Sequence, residues 1–360
     1  MSAKAVGGMA AVAGMPEGVE VVAPDDSEEL SELLAGATRE GLQVAIWGGG
    51  THRDMGCHPG EYDLVVSTAH LTGIVDWQPD DLTVVVRAGT PVGGLEEELG
   101  AGRQSAILPE QAGAATVGGV VATSTSPYAR LRYGPTRDRI LEVEAVTGDG
   151  RPVKGGGRVV KNVTGYDLPR LFAGSFGSLG VITSLCLKLW PLTEATRTVV
   201  LEEPPAPSAV HRPRAVLQTR TDLRVLLSGT EREVEDQVRR LGGEEREGLE
   251  YPDPPEGEVV WSLRVPPGAM EAAVERIPDG SPFVAQLGVG EVSFGVASAF
   301  DIADLRGWAE RAGGSVVRLR GSSSADPWGT PPAGLDLQRR VIAAFDPARI
   351  LERGRLPGGL

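Results

Sequence analysis

The sequence predicts an α+β chain of two domains with a short C-terminal return. Three observations carry this. Buried-strand signals alternate with helical spacing along most of the chain. Glycine, 49 of 360 residues, gathers in three clusters within the first half. A proline-rich stretch at 202–214 separates that half from a segment of different composition. At 41% hydrophobic and 23% charged residues the chain reads as globular rather than disordered. Its length suits two domains of about 100–200 residues each. The boundaries expected are a tail at 1–17, a first domain at 18–193, a second at 194–334 and a return at 335–360.

Taken in order, residues 19–23 read as a strand running into Pro24. Asp26 and Glu29 then open a helix in the manner of a capping box, Leu30, Leu33 and Leu34 share its face, and Gly41 closes it. Residues 44–46 form a short buried strand that ends at Gly48. Strands follow at 64–67 and 82–88, with a turn at Asp80 and Asp81. Pro91 starts a helix that places Leu95 and Leu99 on one face. Residues 100–135, rich in Gly, Ala and Ser, read as irregular backbone around a ligand. A strand at 140–147 turns at Asp149-Gly150, a hairpin signal, and another at 181–189 is stopped by Pro191. Beyond the proline-rich boundary, strands are expected at 223–227, 259–265, 283–287, 292–296 and 315–319. Helices are expected at 231–241, 269–277 and 302–311, a loop at 322–332, and a last helix at 335–345. No internal repeat of 20–50 residues emerges.

Charge and cysteine content narrow the function. Lys plus Arg number 35 against 49 Asp plus Glu, a net charge of -14. A nucleic-acid binder needs the opposite balance to replace phosphate counterions. Cys57 and Cys186 form no CxxC pair, and His52, His58, His70 and His211 show no metal-ligand spacing. No metal site is therefore expected, and two free thiols suit a reducing cytoplasm. No apolar run approaches the ~20 residues of a membrane span. The first fifteen residues, with a Lys and two adjacent glycines, make a poor signal peptide.

The glycine clusters point to chemistry. Gly48-Gly49-Gly50-Thr51-His52-Arg53 follows a buried strand directly. Backbone without Cβ atoms can turn several N–H groups inward at once, as a pyrophosphate requires. The run is neither a P-loop nor the GxGxxG dinucleotide fingerprint. In the second cluster, Thr116, Val117, Gly118, Gly119 and Thr123 would let a helix N-terminus approach a ligand; packing of a small-residue helix on a sheet is the alternative. The third joins Lys161-Asn162-Val163-Thr164-Gly165-Tyr166 to Gly174, Gly177, Gly180, Val181 and Ile182. A helix would lose about 1 kcal/mol at each such glycine, so a cofactor threaded through the backbone is the simplest cause.

In order and wording these clusters resemble the FAD-binding domain of the vanillyl-alcohol oxidase / p-cresol methylhydroxylase (PCMH) superfamily. Within it they are most similar to the FAD-linked 2-hydroxy-acid oxidases and the E-subunit family of glycolate oxidase. The likeness covers about residues 18–193 and resumes at 339–351. Where relatives continue with Asn-Pro-Gly, this chain has Glu352-Arg353-Gly354-Arg355. The resemblance implies a two-subdomain PCMH-type FAD-binding domain plus a smaller α+β cap. It implies that Gly48, Gly49, Gly50, Thr51, His52 and Arg53 form the pyrophosphate loop. Thr116, Val117, Gly118, Gly119 and Thr123 would make the second phosphate and ribityl contact. Gly180, Val181 and Ile182 would hold polar edges of the cofactor through backbone, with Lys161 and Asn162 near the flavin. Glu110 stands where relatives commonly carry Asp.

For His52 the resemblance leaves two readings: a residue lining non-covalently held FAD, which is the one favoured, or a covalent link to the flavin 8α carbon. Catalytic residues are not assigned. The relatives' histidine cluster is absent from the second domain, which has only His211. Tyr128, Arg130 and Arg132 are candidates to line a pocket, and Tyr166 to face the flavin or fill the core. Two cysteines cannot ligate a Cys₄ cluster. The expected role is thus the FAD-binding subunit of a glycolate oxidase-like complex, cytoplasmic or held at the membrane periphery by partners. Those partners would be a homologous catalytic flavoprotein acting on a small 2-hydroxy acid and an iron–sulfur subunit. A self-sufficient FAD oxidoreductase acting on a hydroxy acid or sugar alcohol is the alternative, and a scaffold without FAD the third reading.

Overall fold

The computed structural model describes residues 15, 18–57, 60–110, 113–158, 165–205 and 209–360. Strands Glu20–Val22, Leu64–Ser67 and Val44–Trp47 form a parallel sheet with Leu64–Ser67 in the centre. Helix Ser27–Glu40 is the crossover between the two outer strands, which run parallel. The Asp26 side chain accepts from the N–H groups of Glu28 and Glu29 at 2.9 Å, and Gly41 ends the helix at φ 72°. Glu29 reaches back to Asp25 rather than to the cap residue itself. Leu30, Leu34 and Ala37 bury the inner face.

A five-stranded antiparallel sheet lies beside it, in the order Ile74–Gln78, Thr83–Arg87, Val181–Lys188, Ile140–Val146, Pro152–Gly156. Helices Val92–Ala101 and Val117–Thr123 cover it, and Leu95, Leu99, Val117, Val120 and Leu185 are fully or almost fully buried in that core. Helix Val117–Thr123 corrects the expectation of irregular backbone at 100–135. Its run of small residues packs tightly on the sheet, which supplies order that local propensity does not.

The rest of the chain builds an eight-stranded antiparallel sheet. Its order is Glu244–Glu247, Ala195–Leu201, Leu223–Gly229, Ala215–Gln218, Phe283–Gln286, Glu291–Val296, Val259–Arg264, Ser315–Gly321. Helices Glu231–Leu241, Met270–Glu275 and Ala303–Arg311 pack against it, and Trp261 and Phe294 anchor the larger of its cores. Strands 74–78, 195–201, 215–218 and 244–247 escape the sequence reading. The last is all charge: Glu245 and Glu247 meet Arg197 across the ladder at 3.1 and 3.0 Å, so pairing and not alternation makes it a strand.

After helix Leu335–Phe345, whose Ile342 enters the core of the five-stranded sheet, the chain runs back along strand Val44–Trp47. Val44 N–H donates to the Ile350 carbonyl at 2.8 Å and Glu352 N–H to the Val44 carbonyl at 3.0 Å. The ladder then stops, because Glu352 adopts φ 42° and its carboxylate replaces the next backbone acceptor, taking Ile46 N–H at 2.7 Å.

Candidate functional site

Strand Val44–Trp47 delivers the first glycine cluster to the rim of a cavity. Gly48, Gly49, Gly50, Thr51, His52 and Arg53 form one wall. Thr116, Gly118, Gly119 and Thr123 form the opposite wall, and Gly180 and Ile182 close it. Val117 and Val181 are fully buried and do not line it. Lys161 and Asn162 lie outside the described residues.

The two walls work differently. Among the described residues, no backbone N–H of positions 48–53 has a protein acceptor, so these donors are available to a bound group. A Cβ on Gly49 would sit 1.7 Å from the Ala114 carbonyl oxygen, which explains why the loop can lie so close to the facing backbone. The helix wall has spent its donors. Val117 N–H bonds the Thr90 carbonyl at 2.9 Å, Gly118 N–H the Ala88 carbonyl at 2.7 Å, and Gly119 N–H the Thr116 hydroxyl at 3.2 Å. These N–H groups are thus taken up within the protein, and the small residues pack the helix onto the sheet, where a Gly118 Cβ would lie only 2.7 Å from that of Ala88. Gly174, Gly177 and Gly180 have φ of 85°, 83° and 155°, a backbone conformation that favours glycine, and a Cβ on Gly180 would also sit 2.5 Å from the Val146 carbonyl oxygen.

His52 is mostly buried at the mouth. Its Nδ1 lies 2.9 Å from the Thr51 hydroxyl and its Nε2 3.2 Å from the Thr125 hydroxyl. Burial, then the nearby Arg355 charge, holds its pKa below the usual histidine value, so the ring is neutral at pH 7. Arg53 does not point a free charge into the cavity. Its Nη1 donates to Glu352 at 2.6 Å and to the Ile46 carbonyl at 3.2 Å, and its Nη2 to the Tyr62 hydroxyl at 2.9 Å. The guanidinium also stacks over Trp47. Glu352, Arg355 and Tyr62 are participants that sequence reasoning missed; the only signal was the departure from Asn-Pro-Gly at 352–355.

A second cavity shares Thr51, His52 and Thr123 with the first and opens between the glycine loop and the eight-stranded sheet. Glu110, Arg130, Arg264, Glu291 and Arg320 are the charged side chains in its lining. Glu291 lies 2.8 Å from Arg130 and 3.5 Å from Arg264, and accepts from the Ser262 hydroxyl at 2.7 Å. Although burial opposes ionisation, the two guanidinium groups and this hydroxyl hold Glu291 below the usual carboxylate range. Glu110 shifts the other way. Burial raises it, its Oε2 accepts from Tyr128 N–H at 2.8 Å, and its Oε1 has no hydrogen-bond partner among the described residues. Tyr128 and Arg130 thus reach a cavity, whereas Arg132 bonds Ser228 and Tyr166 is exposed to solvent. His70 pairs with Asp25 at 2.8 Å, away from either cavity, and His58 lies outside the described residues. Among the described residues, no group of three or more His, Cys, Asp or Glu side chains could hold a metal ion, and no helix is long and apolar enough to cross a membrane.

Comparison with known proteins agrees with this architecture. A family model described as an FAD binding domain matches residues 20–156. Glycolate oxidase subunit GlcE of Escherichia coli is 30% identical over 305 residues, 79% of this chain and 84% of that one. D-lactate dehydrogenase of Archaeoglobus fulgidus and glycolate oxidase subunit GlcD of Bacillus subtilis are 37% and 31% identical over about half of this chain. Each of those two is matched over only 39% of its own length. A solved alkyldihydroxyacetonephosphate synthase shares the fold, with a TM-score of 0.64 at 14% identity over 92% of this chain and 75% of that one. The free donors of residues 48–53 and the close approach at Gly49 suit the diphosphate of FAD. With GlcE matched over most of both lengths, the chain belongs to the glycolate oxidase subunit family of PCMH-type FAD-binding proteins.

Proposed function

We propose that this chain is the FAD-binding subunit of a complex that oxidises a small 2-hydroxy acid. Residues 18–193 and 335–360 would hold the cofactor, and residues 194–334 would cap it. The observation that carries the reading is the loop at 48–53, which lines the cavity with backbone N–H groups that no protein acceptor takes and lies too close to Ala114 for any side chain at Gly49. Bound FAD supplies a two-electron acceptor for a CH–OH carbon. This chain's own residues would do the remainder. The loop N–H groups receive the diphosphate, while Thr116 and Thr123 offer hydroxyls along the facing wall. Both ring nitrogens of His52 already have hydroxyl neighbours, which favours FAD held without a covalent link. A homologous catalytic flavoprotein and an iron–sulfur subunit are the partners proposed, with the assembly cytoplasmic or peripheral to the membrane.

The second cavity supports a second reading, in which the chain oxidises a hydroxy acid by itself. Arginine side chains there could orient a carboxylate, and the unpartnered Oε1 of Glu110 could accept a hydroxyl proton. An absorbance spectrum of the purified chain separates the readings, with glycolate or D-lactate then added without oxygen. Bound flavin that does not bleach supports the subunit, bleaching supports the self-sufficient enzyme, and a chain without flavin under all conditions would sink both. Acid precipitation of the same sample should release the flavin; flavin retained in the pellet would instead identify a covalent link.

A further inference from the structure

The ionisable side chains that line the first cavity are His52, Arg53, Glu352 and Arg355. His52 is neutral at pH 7, so one carboxylate faces two guanidinium groups and the lining carries an excess positive charge. Glu352 is 1% exposed and Arg355 3%. The two arginines differ in how fully they are used. Glu352 sits 2.6 Å from Arg53, which also bonds the Ile46 carbonyl and the Tyr62 hydroxyl. Arg355 is only 4.0 Å from Glu352 at its nearer approach. Its Nη2 donates to the His52 carbonyl at 2.7 Å, but its Nη1 has no hydrogen-bond partner among the described residues. The other acidic group near Arg355, Asp54, is exposed to solvent. A buried guanidinium nitrogen without an acceptor is costly unless an anion comes to meet it.

We propose that Arg355, and not the loop residue Arg53, is the cation that meets the anionic diphosphate of the cofactor. Arg53 is then a positioning residue: with Glu352 and Tyr62 it fixes the shape of the loop whose N–H groups do the rest. The inference rests on the FAD-binding reading above. Its geometry has a clear logic, since one Arg355 nitrogen holds the loop through the His52 carbonyl while the other stays available beside it.

The test uses the full chain stripped of flavin and titrated with FAD or with riboflavin, which lacks phosphates, followed by flavin fluorescence. Loss of one charge-assisted hydrogen bond predicts that Arg355→Gln weakens FAD about 10- to 100-fold and leaves riboflavin within about twofold. Arg53→Gln should weaken FAD less than Arg355→Gln does, through the displaced loop alone; a larger loss at Arg53 would overturn the assignment. Equal losses for both flavins in Arg355→Gln, or unchanged FAD affinity, would overturn the proposal. Should that variant fail to fold, Arg355→Lys decides. A single ammonium cannot serve the His52 carbonyl and a diphosphate together, so about a tenfold loss confined to FAD is expected, and wild-type affinity would overturn the assignment. A wild-type chain that takes up riboflavin but not FAD refutes Arg355 alone; uptake of neither refutes the FAD reading and this one with it.

Discussion

The two cavities that meet at His52 are built from different materials. The first is drawn mostly by backbone: glycines pressed against facing carbonyls and a loop with unspent N–H groups. The second is drawn by side chains, with arginines and glutamates contributed by the glycine-rich half and by the eight-stranded sheet. Backbone donors suit a group that never changes, and a missing Cβ leaves little room for variation. Charged side chains can be exchanged without moving the chain, which suits recognition of a variable substrate. Even the carboxylates follow this division. Glu352 in the first cavity props up a loop, whereas Glu291 and Glu110 in the second lie in environments that push their acidities apart.

The sharpest way to break the comparison is Glu352→Gln. It leaves Arg53 and Arg355 without their shared counter-charge, and about 3–5 kcal/mol of stability should be lost in denaturant titration. Retention of wild-type stability would show that the loop does not depend on this residue. Gly49→Ala should cost about 1–3 kcal/mol and abolish flavin uptake, because the new methyl would overlap the Ala114 carbonyl. Normal flavin content in that variant would mean the walls can part.

The second cavity predicts a pair of opposite effects. Glu291 has a depressed pKa in the folded state, so its contribution is present above the unfolded value near ~4.3 and fades as pH falls through the folded one. Glu291→Gln should therefore lose about 1–2 kcal/mol at pH 7 and lose less in acid, a partial effect because Arg130 and Arg264 are part-exposed. Glu110 has a raised pKa, so its ionised form costs stability at neutral pH and the cost disappears in acid. Glu110→Gln should gain about 1 kcal/mol at pH 7, with the gain gone below pH ~4. Thermal melts at several pH values would expose two parallel curves if the division is wrong.

The smallest effect belongs to His52→Gln. The folded histidine has a lowered pKa, so wild-type stability declines as pH drops below ~6.5, where the unfolded chain gains the proton first. The variant should lie within about 0.5 kcal/mol of wild type at pH 8 and lack that decline. An unchanged slope from pH 7 to 5 would remove His52 as its source.

The sequence by itself determined the local pieces. Helix Ser27–Glu40 with its Asp26 cap and Gly41 stop, strand Val44–Trp47 and the glycine loop after it were legible because their signals are short-range: capping, period and missing side chains. So was the likeness of the glycine clusters to an FAD-binding family. Tertiary structure alone decided which donors stay free. Val117 and Gly118 belong to a small-residue stretch with the same signature as Gly48 and Gly49, yet the carbonyls of Thr90 and Ala88, just beyond strand Thr83–Arg87, meet their N–H groups and none meets those of the loop. It also decided which arginine is satisfied. Arg53 sits in the recognisable loop, and Arg355 comes from a segment about 300 residues away that reaches the same cavity only by running along Val44. Hydrogen-bond satisfaction is a property of neighbours in space, and a linear pattern records which groups a residue carries without recording who has already claimed them.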